Sequence, residues 1–214
     1  MNGIMKKAFV LSIFLAGMAI TAFTQVKDVW KDTRFLKAPM SKVMIVSQFI
    51  DPDIRNESNA SLAKAFSGKD VDHVLYEDLF LPYDSMYYYS TMERKLDSAG
   101  VDGILLVKMI ETEQTDLNIA PGDVIPPYAY NYYEYYSFFY YHDLPIIIDP
   151  NYYRRPGKEF RIDIYLYQNR GDMVVWSGQT KNLDPLDPAK TIRSLSKKTV
   201  KKLLSEDMIL KMED

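Results

Sequence analysis

Cysteine is absent from all 214 residues. That excludes disulfides, thiolate metal sites and a cysteine nucleophile, and it leaves no residue to carry the lipid of a bacterial lipoprotein. Histidine is almost as scarce. His73 and His142 stand alone, neither flanked by ligand spacing, so a zinc site would have to draw on carboxylates, and no metal is expected. His73 reads more simply as a strand residue and His142-Asp143 as a loop pair. The 9 glycines form neither Gly-x-Gly-x-x-Gly nor a phosphate loop, since Gly68-Lys69 lacks both the upstream glycine and a following Ser or Thr. No nucleotide or other cofactor is expected. Positive charge is also in deficit, 26 Lys+Arg against 29 Asp+Glu for a net charge of -3, which argues against nucleic acid as a partner.

Long apolar runs are missing too, except at the start. Lys6-Lys7 precede an uncharged run from Ala8 to Phe23, and the small residues Ala22 and Thr24 stand ahead of Gln25. These are the parts of an export signal in their usual order, so residues 1–24 read as a signal peptide cut near Thr24/Gln25. The run includes Ser12, Gly17 and Thr21 and falls short of the roughly 20 apolar residues a spanning helix needs. Removing it takes Lys6 and Lys7 away and leaves residues 25–214, a periplasmic or secreted chain of net charge -5 with no transmembrane span.

What remains is 47% hydrophobic and 14% aromatic over the full length, ample for a packed core in one domain. Lys42–Ile50 is a continuous apolar run, the mark of a strand covered on both faces. Asp51-Pro52-Asp53 breaks it, and Ile54, Leu62, Ala65 and Phe66 then recur at helical spacing up to Gly68. Val71–Tyr76 predicts a weaker strand and Tyr83–Ala99 a second helix, stopped by Gly100. Gly103–Ile110 is again a buried-strand run. Phe160, Ile162, Ile164 and Leu166 alternate with Arg161, Asp163, Tyr165 and Tyr167, predicting a strand with one wetter face. A turn at 168–172 returns through Met173–Gly178 as a hairpin, and Asp187-Pro188 opens a helix whose stripe is Ile192, Leu195, Val200, Leu203 and Leu204.

This order predicts an α/β domain in two or three layers, with a mixed sheet of about five strands, three parallel plus the antiparallel hairpin, and about three helices. Residues 112–158 do not fit the regular plan and read as an insertion. Pro121, Pro126, Pro127, Pro145 and Pro156 fall there, with a dense tract of Tyr and Phe. An irregular segment of that length in a small domain points to function or disorder.

The chain resembles a family of small bacterial envelope lipoproteins of unassigned role, whose α/β domain is similar to the amino-terminal domain of the Tol-system propeller protein and to the curli secretion-channel lipoprotein. The resemblance is carried by Val29-Trp30-Lys31-Asp32, Lys42–Val46, Arg55 and Glu57, Gly100–Val107, the Pro- and Tyr-rich insertion, and Ile164–Tyr167 leading to Val174–Thr180. It implies fold and envelope location and no reaction. The chain departs from that pattern in lacking the lipidation cysteine.

Candidate sites are few. Asp51, Asp53, Arg55 and Glu57 follow the first strand where open α/β sheets hold ligands, yet without a glycine-rich loop they read as a helix cap and an Arg–Glu ion pair. Ser177 is the serine a hydrolase would use, but it sits in no Gly-x-Ser-x-Gly elbow. Carboxylate pairs for glycoside hydrolysis exist by number alone. Arg170-Gly171-Asp172 matches an adhesion tripeptide and is also what a hairpin turn needs. Lys190, Arg193, Lys197 and Lys201 line the polar side of the last helix as a solvated face, with anionic envelope lipids as the sharper alternative.

The insertion remains. Tyr130, Tyr132, Tyr133, Tyr135, Tyr136, Tyr140 and Tyr141 bring large rings with polar tips, suited either to packing as a flap over the sheet or to recognition. The reading is a non-enzymatic envelope protein that binds another envelope protein or assembles with itself through these rings. Glycan or cell-wall binding is the alternative, and hydrolysis the second.

Overall fold

The computed structural model describes residues 26–31, 38–49, 51–80, 89–112, 159–169, 173–180 and 188–212. Where the sequence is continuously apolar, strands form whose middles are buried on both sides, Val43–Ser47 of β2 (Lys42–Gln48) and Gly103–Val107 of β4 (Gly103–Thr112). They pair in parallel, and β3 (Asp72–Leu75) pairs in parallel on the other side of β2. β5 (Glu159–Gln168) and β6 (Met173–Thr180) form the antiparallel hairpin, and β5 runs antiparallel beside β4. The expected α/β architecture with three parallel strands and a hairpin is therefore present.

A sixth strand corrects the expected count of five. β1 (Val26–Lys31) pairs antiparallel with β6, giving the order β1-β6-β5-β4-β2-β3. Its register slips between Lys27 and Trp30, so the two halves of the strand are out of phase and the sequence shows no clean alternation. Gly178 admits this strand: a Cβ there would lie 2.5 Å from Val26 Cγ1 and 2.8 Å from the Trp176 ring.

Helices cover both faces, making three layers. On one face α1 (Pro52–Ser67) and α4 (Pro188–Ser205) bury Ile54, Leu62, Phe66, Ile192, Leu195 and Leu203 against Val43, Ile45, Leu105 and Ile164. On the other, α2 (Tyr76–Leu79) and α3 (Tyr89–Ser98) bring Tyr76 and Leu96, with Phe80, against Met44, Val46, Ile104, Leu106, Tyr165 and Tyr167. The expected wetter face of β5 is thus not wet: Asp163, Tyr165 and Tyr167 are as buried as Ile162, Ile164 and Leu166. The phenols provide the area to fill a second apolar layer, which two-residue alternation conceals. The expected second helix begins at Tyr89 among the described residues; 81–88 lie outside them.

The lower end of the sheet is stapled by Asp102. Its carboxylate accepts from the backbone N–H of Ser41 (2.8 Å) and Lys42 (2.9 Å) and from the Ser41 hydroxyl (2.8 Å). Its own N–H donates to Lys42 O, and its carbonyl accepts from Asn169 N–H. Three strand ends are tied through one residue. Gly100, at φ +69°, makes the left-handed turn that brings the chain out of α3 to this point.

Candidate functional site

β2 and β4 run in parallel, so their carboxyl ends share one edge of the sheet, and β5 enters at that edge from the other direction. On the α2/α3 face, partners in register form transverse rows. Val46, Leu106, Tyr165, Ser177 and Trp30 make one row. The next row outward is Gln48, Lys108, Asp163 and Gln179, where the face turns from apolar to polar. Beyond it the β4–β5 ladder continues to Thr112↔Glu159, from which the insertion departs and to which it returns.

Asp163 is the centre of this row. It is fully buried, and it accepts from Arg161 Nε at 2.9 Å and Nη2 at 3.4 Å and from the Tyr165 hydroxyl at 3.1 Å. Arg161 keeps 24% of its side chain exposed, so the pair spans from solvent to interior. A buried carboxylate without partners would cost several kcal/mol, and these donors at i−2 and i+2 on one strand face offset that cost. Lys108 sits with Nζ 5.1 Å from the Tyr165 ring centroid, a cation–π distance. A carboxylate so surrounded by donors is an anchor; it holds Arg161 and Tyr165 in fixed relation at the root of the insertion, with Lys108 over the Tyr165 ring.

The sequence singled out none of these four. Asp163 and Tyr165 read as outward residues of an alternating strand, and the place of Lys108 depends on cross-strand register. The one available signal is a charge, Lys108, inside the otherwise apolar run Gly103–Ile110.

The residues singled out by sequence fall elsewhere. Asp51 is the α1 cap, its carboxylate accepting from Asp53 N–H (2.8 Å) and Ile54 N–H (3.3 Å). Glu57 pairs with Arg193 of α4 at 3.2 Å and accepts from Ser61, so the expected Arg–Glu pair joins two helices, with Arg193 in the place of Arg55. His73 is an edge-strand residue whose Nδ1 lies 3.0 Å from Val71 O and whose ring packs 5.6 Å from Phe66. Ser177 is buried in β6, separated from β3 by three strands, so His73 lies roughly 19 Å away at about 4.8 Å per strand and cannot serve it as a base. Lys190, Arg193, Lys197 and Lys201 are exposed along α4. Tyr130, Tyr132, Tyr133, Tyr135, Tyr136, Tyr140 and Tyr141 lie outside the described residues, as do His142 and Arg170-Gly171-Asp172.

Among the described residues no group of three or more His, Cys, Asp or Glu is placed to hold a metal ion. Nor is any helix there long and apolar enough to cross a membrane. Among the described residues, Asn59, which donates to Glu77 Oε1 at 2.8 Å, has a buried Oδ1 with no partner, and the buried Thr199 hydroxyl has none either.

No protein-family model matches the chain, and no curated protein does. Among solved structures the chain is similar to the dodecamer of a single-substitution variant of PelC from Paraburkholderia phytofirmans, at 11% identity and a TM-score of 0.40, over 85% of this chain and 98% of that one. A second PelC dodecamer structure from the same organism is similar at 10% identity and a TM-score of 0.39, over 81% and 91%.

Proposed function

We propose that the chain is an exported envelope protein of the interaction or assembly type, acting through contact and without bond-making chemistry. Its sheet is the mount, and the insertion is the contact element over residues 113–158, Thr112 being still paired in β4. The observation that carries this reading is how the insertion is rooted. β4 and β5 pair without a slip from Gly103↔Gln168 to Thr112↔Glu159, so the segment leaves one strand and re-enters its neighbour about 5 Å away. Just inside that point the Arg161–Asp163–Tyr165 network and Lys108 fix both strands. An insertion joined in this manner interrupts no sheet pairing, so its sequence is free to be chosen for a partner. Its tyrosines, Tyr130, Tyr132, Tyr133, Tyr135, Tyr136, Tyr140 and Tyr141, are the residue type that recognition surfaces favour.

In this reading residues 1–24 are a signal peptide, and 25–214 form a single α/β domain in the periplasm or outside the cell, without a lipid anchor. The partner is an envelope protein or a second copy of the chain. Cross-linking with mass measurement on the exported chain tests it. Defined oligomers that disappear when the seven tyrosines are changed to serine support the reading, and oligomers that persist in that variant count against it. A strict monomer whose Tyr and Trp fluorescence is quenched by cell-wall glycan fragments would transfer the insertion to carbohydrate binding.

A further inference from the structure

α4 carries Lys190, Arg193, Lys197, Lys198, Lys201 and Lys202 and not one acid along its 18 residues, in a chain of net charge -3. Its buried stripe fixes the opposite side as the outer surface. There Lys190, Arg193, Lys197 and Lys201 follow one another along the full length of the helix, all exposed. Glu57 of α1 meets Arg193 at 3.2 Å, with 52% of the Arg193 side chain still exposed, and Lys202 turns to Glu206 at 2.7 Å.

A second feature adjoins the end of this helix. After Ser205 the chain passes the exposed Asp207, bridges at Ile209 to Met40 just ahead of β2, buries Met208 and Ile209, and then turns Leu210 and Met212 outward at 45% and 55% exposure, with the exposed Lys211 between them and the exposed Asp70 at Met212. These two are the large hydrophobic side chains exposed among the described residues. Their backbone is pinned, Leu210 N–H to Met40 O at 2.8 Å and Met212 N–H to Asp70 O at 2.6 Å, so both side chains stand out from a fixed edge.

We infer that the outer face of α4 with Leu210, Lys211 and Met212 docks on an anionic membrane surface. Lipid phosphates meet the line of bases, and the two apolar side chains enter the interfacial layer beside them. A line of bases alone would suit any acidic partner; a basic helix face followed closely in the chain by two outward apolar side chains on a pinned backbone supplies both parts that a charged bilayer surface takes.

The test uses the full chain as exported, sedimented with vesicles of phosphatidylcholine alone or with one third phosphatidylglycerol. Binding to the anionic vesicles that weakens with added salt, and little binding to the neutral ones, is the expected result. Each charge lost at the surface should lower partitioning roughly fivefold, so Lys197→Gln with Lys201→Gln should lower it about twenty-fivefold. Leu210→Ser with Met212→Ser should lower it severalfold while leaving the salt dependence unchanged. All four positions are exposed, and unchanged circular dichroism verifies the fold of each variant. Equal binding to both vesicle types, or unchanged partitioning of the lysine pair, overturns the inference. So does capture by soluble polyglutamate with no effect of the Leu210/Met212 change, which would assign the face to an acidic polymer.

Discussion

The Tyr165 hydroxyl donates to Asp163 Oδ2 at 3.1 Å, between two residues of one strand that both point into the same buried layer. Arg161 closes on the same carboxylate from the solvent side. The three residues form a short ladder up the second face of β5, ending where the insertion is rooted.

Removing the acid should therefore damage the mount. Asp163→Ala leaves Arg161 and Tyr165 facing an uncompensated interior and should cost about 3 kcal/mol, the scale for losing one member of a buried pair. Tyr165→Phe deletes a single neutral donor to that carboxylate and should cost about 1.5 kcal/mol. Urea unfolding of the two variants gives the comparison, and equal losses would refute the ranking.

Asp102 makes a second, more local prediction. Asp102→Ala deprives the Ser41 and Lys42 N–H groups and the Ser41 hydroxyl of their acceptor and should destabilise by about 2–3 kcal/mol. Asp102→Asn keeps one acceptor oxygen and should recover about half of that loss. Hydrogen exchange at Ser41 and Lys42 should accelerate in the alanine variant ahead of the sheet centre.

How far the sequence reveals this fold depends on which physical signal each element leaves. The runs at Val43–Val46 and Ile104–Val107 announce the middle of the sheet because strands covered on both faces are apolar throughout. The α4 stripe and the Asp51 cap are equally plain. Asp163 is hidden because its neighbours in the buried layer are phenols, which a polar/apolar alternation counts as wet. β1 is hidden by its bulge, and Lys108 acquires its place over the Tyr165 ring only through pairing with β5. The insertion is legible as composition, in its tyrosines, while the strand pairing at its root needs the register.

Trp176 offers an optical check on the last part of the chain. Its Nε1 donates to Glu206 Oε2 at 2.8 Å, and Glu206 also holds Lys202 at Oε1 and Lys31 at its carbonyl. Glu206→Ala should leave the buried indole donor without its partner, cost about 1–2 kcal/mol, and shift the Trp176 emission. A Trp30→Phe background isolates that signal, since Trp30 and Trp176 are the 2 tryptophans of the chain.

Gly178→Ala tests the attachment of the edge strand. The added methyl would press on Val26 and the Trp176 ring, and the expected overpacking cost is about 1–3 kcal/mol. Amide exchange should rise first in Val26–Lys31. Loss spread evenly over all six strands would show instead that β1 and the rest of the sheet open together.

On the proposed function, residues 113–158 mediate contact on a mount that stands without them. Joining Thr112 to Glu159 through a two-residue Asn-Gly turn tests it, because strands already paired at those residues need only a type I′ turn to connect them. The expected product is a chain with unchanged circular dichroism and cooperative unfolding that no longer forms the oligomers or cross-links of its parent. A shortened chain that fails to fold, or one that folds and keeps every contact, would contradict it.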